Sequence, residues 1–553
     1  MFNSKQTTLL DSKSTTSASK FISTGIQKSV ETFSGNGSKK YSSTNNDFVD
    51  QFGKLGSYKE PRSYKDISND MSILYANSPL LAVMFILYIR TITRVVSLFN
   101  GKKTTSVQRG AGLRHESIVR MIWLHVNHSD VFWKNITLFI SVGSWKDIIQ
   151  MMSYDLQFNG WNGRILDWIG FGRLLLAGLE NPQHSELIKK YLPQIKANSK
   201  CHTLESQADN VIAKWICSLL YGSKADTRTY RSYRKLKTSG TAHQWQQLIS
   251  QGKFLQIDFN TIHGRALAQL VSSKFLQNNG LEEVYQKWIS TKPIAKFTGY
   301  VYELASNIKW DMKKYQVDTI NAQYNQLLDL AGKTNSNMIV VKDTSGSMDS
   351  VAIGTNVSSY HVAKSLSIFL GNLLQGFFHN HYIDFSSTAI LRAIKGSNFV
   401  EHWNTESRRQ SANTNFMAVC TLFCDIHKKG VPEDQFPSGM ICISDGQFDR
   451  NYYGTTSIEA FRKQLRYNGF SQSFIDNFKF VFWDINNTFY GSKFTNSKFE
   501  SFGPEKNVFY FSGFDASVIT FLTGIEGSKS SPTNARELFD SAMDQEVLNM
   551  VQI

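Results

Sequence analysis

Apolar residues recur at helical spacing through most of residues 73–330, and the stretches between them are short and polar. Leu80–Ile89, Ile118–Val126, Val131–Val142, Trp145–Met152, Ile165–Leu179, Leu187–Ile195, Ala208–Leu220, His243–Ile249, Ala266–Leu276, Leu281–Ile289 and Tyr315–Leu330 all carry the pattern, which predicts one amphipathic helix after another. Serial helices with no strand pattern predict stacked helix pairs in a solenoid or ring, each burying its face on the next, with a compact bundle as the other arrangement. Near residue 336 the period changes. Met338–Val341, Gly439–Ser444, Phe478–Trp483 and Val508–Phe511 are short apolar runs of strand type, and His381–Ser386 and Thr388–Ala393 read as a strand pair. Helical patterns over Ser358–Leu374, Phe416–Phe423, Ile458–Arg466 and Asp515–Leu522 alternate with them. That alternation predicts a doubly wound α/β domain. The expected fold class is α + α/β, with helical repeats first and the sheet second.

The flanks differ from both. Residues 1–62 are rich in Ser, Thr, Asn, Gly and Lys with scattered single hydrophobes, too little apolar surface to offset ordering entropy, and predict a flexible arm with a short helix near Phe48–Phe52. The division expected is an arm over 1–62, helical repeats over 63–335, an α/β domain over 336–530 and a terminal helix over 531–553. The first residues are polar, with no secretory pattern, and the longest apolar run, Pro79–Ile89, falls short of the roughly 20 residues a membrane span needs. Cys201, Cys217, Cys420, Cys424 and Cys442 are sparse, odd in number and without a C-x-x-C pair, which favours a reducing, cytoplasmic setting. Cys420, Cys424 and His427 can share a helix face, but no fourth ligand accompanies them, so core packing is the expectation.

Charge separates the two halves. The chain carries a formal net charge of +15, of which residues 1–335 hold +18 (42 Lys and Arg against 24 Asp and Glu), leaving −3 beyond. A polyanionic partner is therefore expected on the helical half. Two clusters are candidates. Lys224–Lys237 carries Lys224, Arg228, Arg231, Arg234, Lys235 and Lys237 with Tyr230 and Tyr233 interleaved, cations for phosphates and rings for bases. Lys102, Lys103, Arg109, Arg114, His115 and Arg120 form the second. Arg90 and Arg94 either face a lumen or end a buried face.

The α/β half carries a different chemistry. Asp343-Thr344-Ser345-Gly346-Ser347 stands behind the Met338–Val341 run, with Lys342 expected where that strand reaches solvent. A carboxylate and two hydroxyls at a strand's mouth are an incomplete set of hard oxygens of the kind Mg2+ or another divalent cation accepts while keeping waters. Asn413-Thr414-Asn415 opens a helix and Asp445 follows a second buried-strand pattern. Loops leaving the carboxyl ends of parallel strands converge on one crevice, so the expected ligands are Asp343, Ser345, Ser347, Thr414 and Asp445.

Taken together, D-x-S-G-S, N-T-N-F and S-D-G resemble the metal-ion-dependent adhesion site of a von Willebrand factor A domain. Helical repeats ahead of such a domain resemble the layout of the Ro autoantigen family, whose TROVE module is a ring of HEAT-like helix pairs, and of an uncharacterised sister group. Asn77–Arg90, Gly143–Ile149 and the basic Tyr230–Lys237 segment carry the likeness over roughly residues 70–525. Where the Ro family has a glycine-rich basic stretch, Gly101–Lys103 and Arg109–Gly112 only approximate it. The resemblance implies a ribonucleoprotein component that binds small noncoding or misfolded RNA, with an acidic protein partner at the metal site; the short apolar runs add the expectation of no membrane attachment. A protein-interaction scaffold without RNA is the alternative. Enzyme chemistry fits less well. A phosphatase nucleophile would want Asp where Ser345 stands, an aspartic protease would want Gly there, and Ser347 lacks a G-x-S-x-G elbow; Asp349 and Asp449 are the only nearby acids left for a base.

Overall fold

In the computed structural model of the protein, residues 31–33, 39–41, 46–55, 62–99, 103–158, 165–222, 226–240, 244–262, 264–291, 297–332, 334, 336–352, 355–406, 413–446, 448, 457–485, 506–514 and 532–553 are described. Lys102, Lys224, Asp449, the Asp515–Leu522 helix and most of the expected arm lie outside them. Among the described residues no helix is long and apolar enough to cross a membrane.

Helices dominate residues 64–331, and local chemistry sets their ends. Ser63 caps Tyr64–Asn77 by accepting from the Asp66 amide, and Ser78 both ends that helix and caps Pro79–Arg90, with proline at its start. Pro79–Arg90 is buried almost all round, which is why its sequence shows no polar stripe. The run expected as one helix over Val131–Val142 breaks at Asn135 into Ser129–Lys134 and Ile136–Val142. Asn135 is fully buried and gives its amide to Val131 O and to Gln552 O while accepting from the Gln552 amide. A side chain committed to the C-terminal segment is what the periodicity could not register.

Strands also occur in the arm and in the helical half, against expectation. β3 (Arg94–Phe99) pairs antiparallel with β4 (Lys103–Gln108), and the short β1 (Glu31–Phe33) pairs with β2 (Lys39–Tyr41). Arg94 therefore starts a strand and does not continue the Pro79–Arg90 helix.

The second half is built on a six-stranded sheet in the order β10-β9-β8-β5-β6-β7. Its members are β5 (Met338–Asp343), β6 (His381–Phe385), β7 (Ala389–Ala393), β8 (Gly439–Ser444), β9 (Lys479–Asp484) and β10 (Val508–Ser512). All neighbours are parallel except β6 and β7, which form the expected pair. Ser359–Leu373 and Phe399–Thr405 pack on one face, and Met417–Lys428 and Ser457–Tyr467 on the other. Cys420 and Cys424 are buried in that second layer, and His427 stacks 4.3 Å from Phe470 with Nδ1 donating to Val431 O. All three belong to packing.

Lys342 corrects another expectation. It is fully buried, and its ammonium lies 3.1 Å from Asp384, bonds Glu406 and sits over the Tyr382 ring. Burial lowers its pKa to about 8 against the pull of Asp384.

Residues 47–55 meet the C-terminal segment. Asp47–Lys54, within the expected arm, buries Phe48 and Phe52 on Phe539 of the Ala535–Met543 helix and on Phe511 of β10, at ring separations of 5.6 to 6.4 Å. Ser512 Oγ donates to Gly53 O and Leu55 O. Gln545 exchanges two hydrogen bonds with the backbone of Arg109, at 2.9 and 3.1 Å. Phe52→Ala is expected to cost about 3 to 5 kcal/mol by removing a ring that three aromatic neighbours enclose. Urea denaturation followed by tryptophan fluorescence measures it, and a cost under about 1 kcal/mol would mean that the helix merely rests on the surface.

Candidate metal centre

Backbone pairing places the Asp343 carboxylate. β5 lies between β6 and β8, with Asp343 opposite Phe385 and Lys342 opposite Ile443. The Thr344 amide and hydroxyl both donate to Phe385 O, at 2.9 and 3.0 Å, which turns Thr344 away from any cation. Next to it, Asp343 Oδ1 accepts from the Ser345 amide at 2.8 Å and Oδ2 from Ser444 Oγ at 2.6 Å. Ser444 Oγ in turn accepts from the Gly446 amide at 3.0 Å. Gly446 has φ +73, a turn that suits glycine. Ser444 orients Asp343 and was not singled out from sequence, although it stands in the same S-D-G triplet as Asp445.

The other loops arrive at the same end of the sheet. Ser386, which follows β6, accepts from the Asn415 amide at 2.9 Å, and this holds the loop of the buried Thr414 at the strand ends. Ser345 Oγ and Ser347 Oγ are 3.1 Å apart. Adjacent ligands on an octahedral cation with bonds of about 2.1 Å stand about 3 Å apart, so this spacing matches one edge of such a site. Asp343 and Asp445 are both fully buried. Burial first, and the neighbouring Asp445 charge second, hold the Asp343 carboxyl well above the usual carboxylate range. Two desolvated carboxylates with hydroxyls beside them fit a divalent cation, whose charge would offset the repulsion. The donor set is hard oxygen, and among the described residues there is no group of three or more His, Cys, Asp and Glu side chains in metal-ligand array. The chemistry therefore favours Mg2+ over zinc.

The cation clusters of the helical half fare unequally. Arg120 is fully buried, with Nη2 2.8 Å from Glu116, and Arg62 joins the same group through Glu116 and Asp70. Arg90 grips Asp147 with two hydrogen bonds of 2.7 and 3.2 Å, and Arg114 Nε lies 3.1 Å from the same carboxylate. His115 is held between the Tyr154 hydroxyl and Arg62 O. Arg109 is buried under the C-terminal segment. Gly110 serves packing, since a Cβ there would stand 2.1 Å from Tyr88 O. Lys103 lies on β4. As an exposed patch this cluster is corrected: Arg109 and Arg120 are buried, and Arg114 and His115 are held by partners within the protein.

The other cluster stays at the surface. Thr227–Thr238 is one helix, capped by Asp226, with Arg228, Arg231, Arg234 and Lys235 exposed and no acid within it. Lys237 is half-buried and donates to Leu192 O at 2.5 Å. Tyr233 is fully buried with its hydroxyl on Pro193 O, so it is a core residue and no platform for a base; Tyr230 is half-buried.

The folded-state pKa of Asp343 is raised, so the metal-free fold binds more protons than the unfolded chain and loses stability from this group as pH rises from the ordinary carboxylate range through the raised value. A cation needs the ionised form, which makes its binding stronger in the same direction. Addition of MgCl2 is therefore expected to raise the melting temperature more at pH 8 than at pH 6, and Asp445→Asn to abolish the rise. Differential scanning calorimetry with and without EDTA checks both. A rise equal at the two pH values, or kept by the variant, would remove these carboxylates from the site.

Residues 337–549 match the family described as a domain of unknown function (DUF7788). No curated protein matches this chain. Among solved structures it is similar to the crystal structure of the RO (RSR) protein of Deinococcus radiodurans, at 10% identity over 90% of this chain and 99% of that one, with a TM-score of 0.43.

Proposed function

We propose that the chain is an RNA-binding protein of the ribonucleoprotein type, in which the helical half carries the RNA and the α/β half holds Mg2+ and offers an open coordination position to an acidic group of a protein partner. The observation that carries the RNA part is the Thr227–Thr238 helix, four of whose cations reach solvent with no acidic neighbour in the helix. Arg and Lys so placed neutralise phosphates whatever the sequence, and guanidinium planes stack on unpaired bases. The Ro resemblance makes the ligand a small noncoding or misfolded RNA, and its single strands would expose the bases on which guanidinium planes stack. The order of the halves also agrees with the layout that the Ro resemblance implies.

The metal part rests on Asp343, Ser345, Ser347, Thr414 and Asp445 at one end of the sheet. The cation would supply a fixed positive charge and Lewis acidity; the chain orients Asp343 through Ser444 and keeps Asp343 and Asp445 out of water. We read the site as one for binding, because both oxygens of Asp343 already accept hydrogen bonds that fix it in place.

Filter binding of a small structured RNA tests the reading. Charge reversal of Arg231, Arg234 and Lys235 to Glu is expected to weaken binding at least about tenfold and to lower the slope of log affinity against log salt by about 2. Unchanged affinity and slope would sink the electrostatic account. A second reading, a protein scaffold without RNA, is favoured by the internal pairing of Arg62, Arg90, Arg114 and Arg120. It predicts freshly purified protein whose 260 to 280 nm absorbance ratio is that of protein alone.

A further inference from the structure

On the face of the sheet that carries Lys342, the β6–β7 pair and the Phe399–Thr405 helix line a cavity of about 310 Å³. Its polar wall is Arg392, Lys395, His402 and Glu406, and Ile368 and Ile394 contribute an apolar wall. That volume lies at the small end of the range for pockets that hold small molecules.

The charges behind this wall do not balance. Lys342 contacts Asp384 at 3.1 Å and also pairs with Glu406. Lys364 Nζ is 3.9 Å from Glu406 Oε2, and Arg392 Nε pairs with Asp384. Three cations thus share two carboxylates. The rings of Tyr382 and Trp403, 4.6 and 4.2 Å from the Lys342 and Lys364 ammoniums, soften the excess without cancelling it. Lys395 adds a further cation on the cavity wall. Glu406 Oε1 is engaged by Lys342 and by the Tyr360 hydroxyl at 3.2 Å, and its Oε2, buried without a hydrogen bond, faces Lys364 Nζ at 3.9 Å, so cations stand against both oxygens of this carboxylate.

Two polar atoms in the wall point the same way. Arg392 Nη2 is buried and makes no hydrogen bond. His402 donates from Nε2 to Gly396 O at 3.2 Å, so its Nδ1 carries the lone pair, and that atom too is buried without a hydrogen bond. A buried donor on a cation and a buried acceptor, left unsatisfied together, are unusual in a native interior and call for a partner. The guanidinium suits an oxyanion, and the imidazole nitrogen suits a hydroxyl or N–H.

We propose that this cavity binds a small organic oxyanion, with its charged head on Arg392 and Lys395, a hydrogen-bond donor on His402 Nδ1 and an apolar body against Ile368 and Ile394. The site is separate from the carboxylate centre and stands whether or not the chain binds RNA.

Isothermal titration of the full chain with 4-hydroxybenzoate and with 4-hydroxyphenyl phosphate tests the proposal and tells a carboxylate ligand from a phosphate. Saturable binding of at least one in about the millimolar range or tighter is expected, with neutral 4-hydroxybenzamide at least about tenfold weaker. Arg392→Gln is expected to weaken the anion about tenfold and His402→Phe several-fold. Lys395→Gln, at an exposed residue, keeps the test open if Arg392→Gln fails to fold, and should weaken the anion measurably. No saturable binding of either anion at about 10 mM, equal binding of the amide, or affinity unchanged in Lys395→Gln and in every folded variant at Arg392 would overturn it.

Discussion

Parallel pairing of β5 on both sides is the constraint on which the candidate chemistry depends. With Asp343 opposite Phe385 and Lys342 opposite Ile443, Asp343, Phe385 and Ser444 fall at one level, and Thr344, Ser386 and Asp445 follow at the next. A one-residue slip would turn every side chain of β5 to the other face. Asp343 would then leave Ser444, and the apolar residues of β5 would exchange cores. The register is therefore fixed by both hydrophobic layers at once, and the carboxylate pair inherits a position that no interaction of its own could enforce. Two buried acids repel each other, so the site is a cost that the packing of the sheet sustains.

The same strand explains why an acid and a base stand side by side without pairing. Successive side chains of a strand point to opposite faces, so Lys342 and Asp343 enter different layers. Lys342 finds Asp384, its cross-strand neighbour on β6, and through it Arg392 of β7. Asp343 finds Ser444 on the other neighbour. One short strand end thus carries positive charge to one side of the sheet and negative charge to the other. Both side chains are fully buried, so solvent does little to screen either charge.

Closure of the chain on itself ties these features to the helical half. Phe48 and Phe52 meet Phe539, Gln545 holds the backbone of Arg109, and Gln552 exchanges hydrogen bonds with Asn135. Most helices of the first half and the strands of the second were legible from period alone, including the antiparallel β6–β7 pair. These closing contacts were not, because their partners lie more than four hundred residues apart and each involves a side chain ordinary in its own neighbourhood. The β3–β4 hairpin was legible in principle. Val95, Ser97, Thr105 and Val107 belong to a β-branched, polar-alternating stretch around Gly101-Lys102-Lys103, in which the basic residues interrupt the apolar alternation that marks a strand.

The arginines show where the chemistry itself was readable and where it was not. Arg120 sits inside Ile118-Val119-Arg120-Met121-Ile122 with Glu116 one helical turn before it. An arginine flanked by apolar residues on a helix, with an acid at i−4, carries its own counterion into the core, and it does so here. Arg228, Arg231 and Arg234 recur at spacings of three among Thr, Ser and Tyr with no acid at i±3 or i±4. Such a row has no internal partner to recruit, and burial would leave each charge uncompensated. Arg90 follows neither pattern. Its partner Asp147 lies fifty-seven residues away, and only the packing of two helices brings the pair together. Local charge pattern therefore separates arginines that bring a partner from arginines that need one from outside, and it fails where tertiary structure supplies the partner.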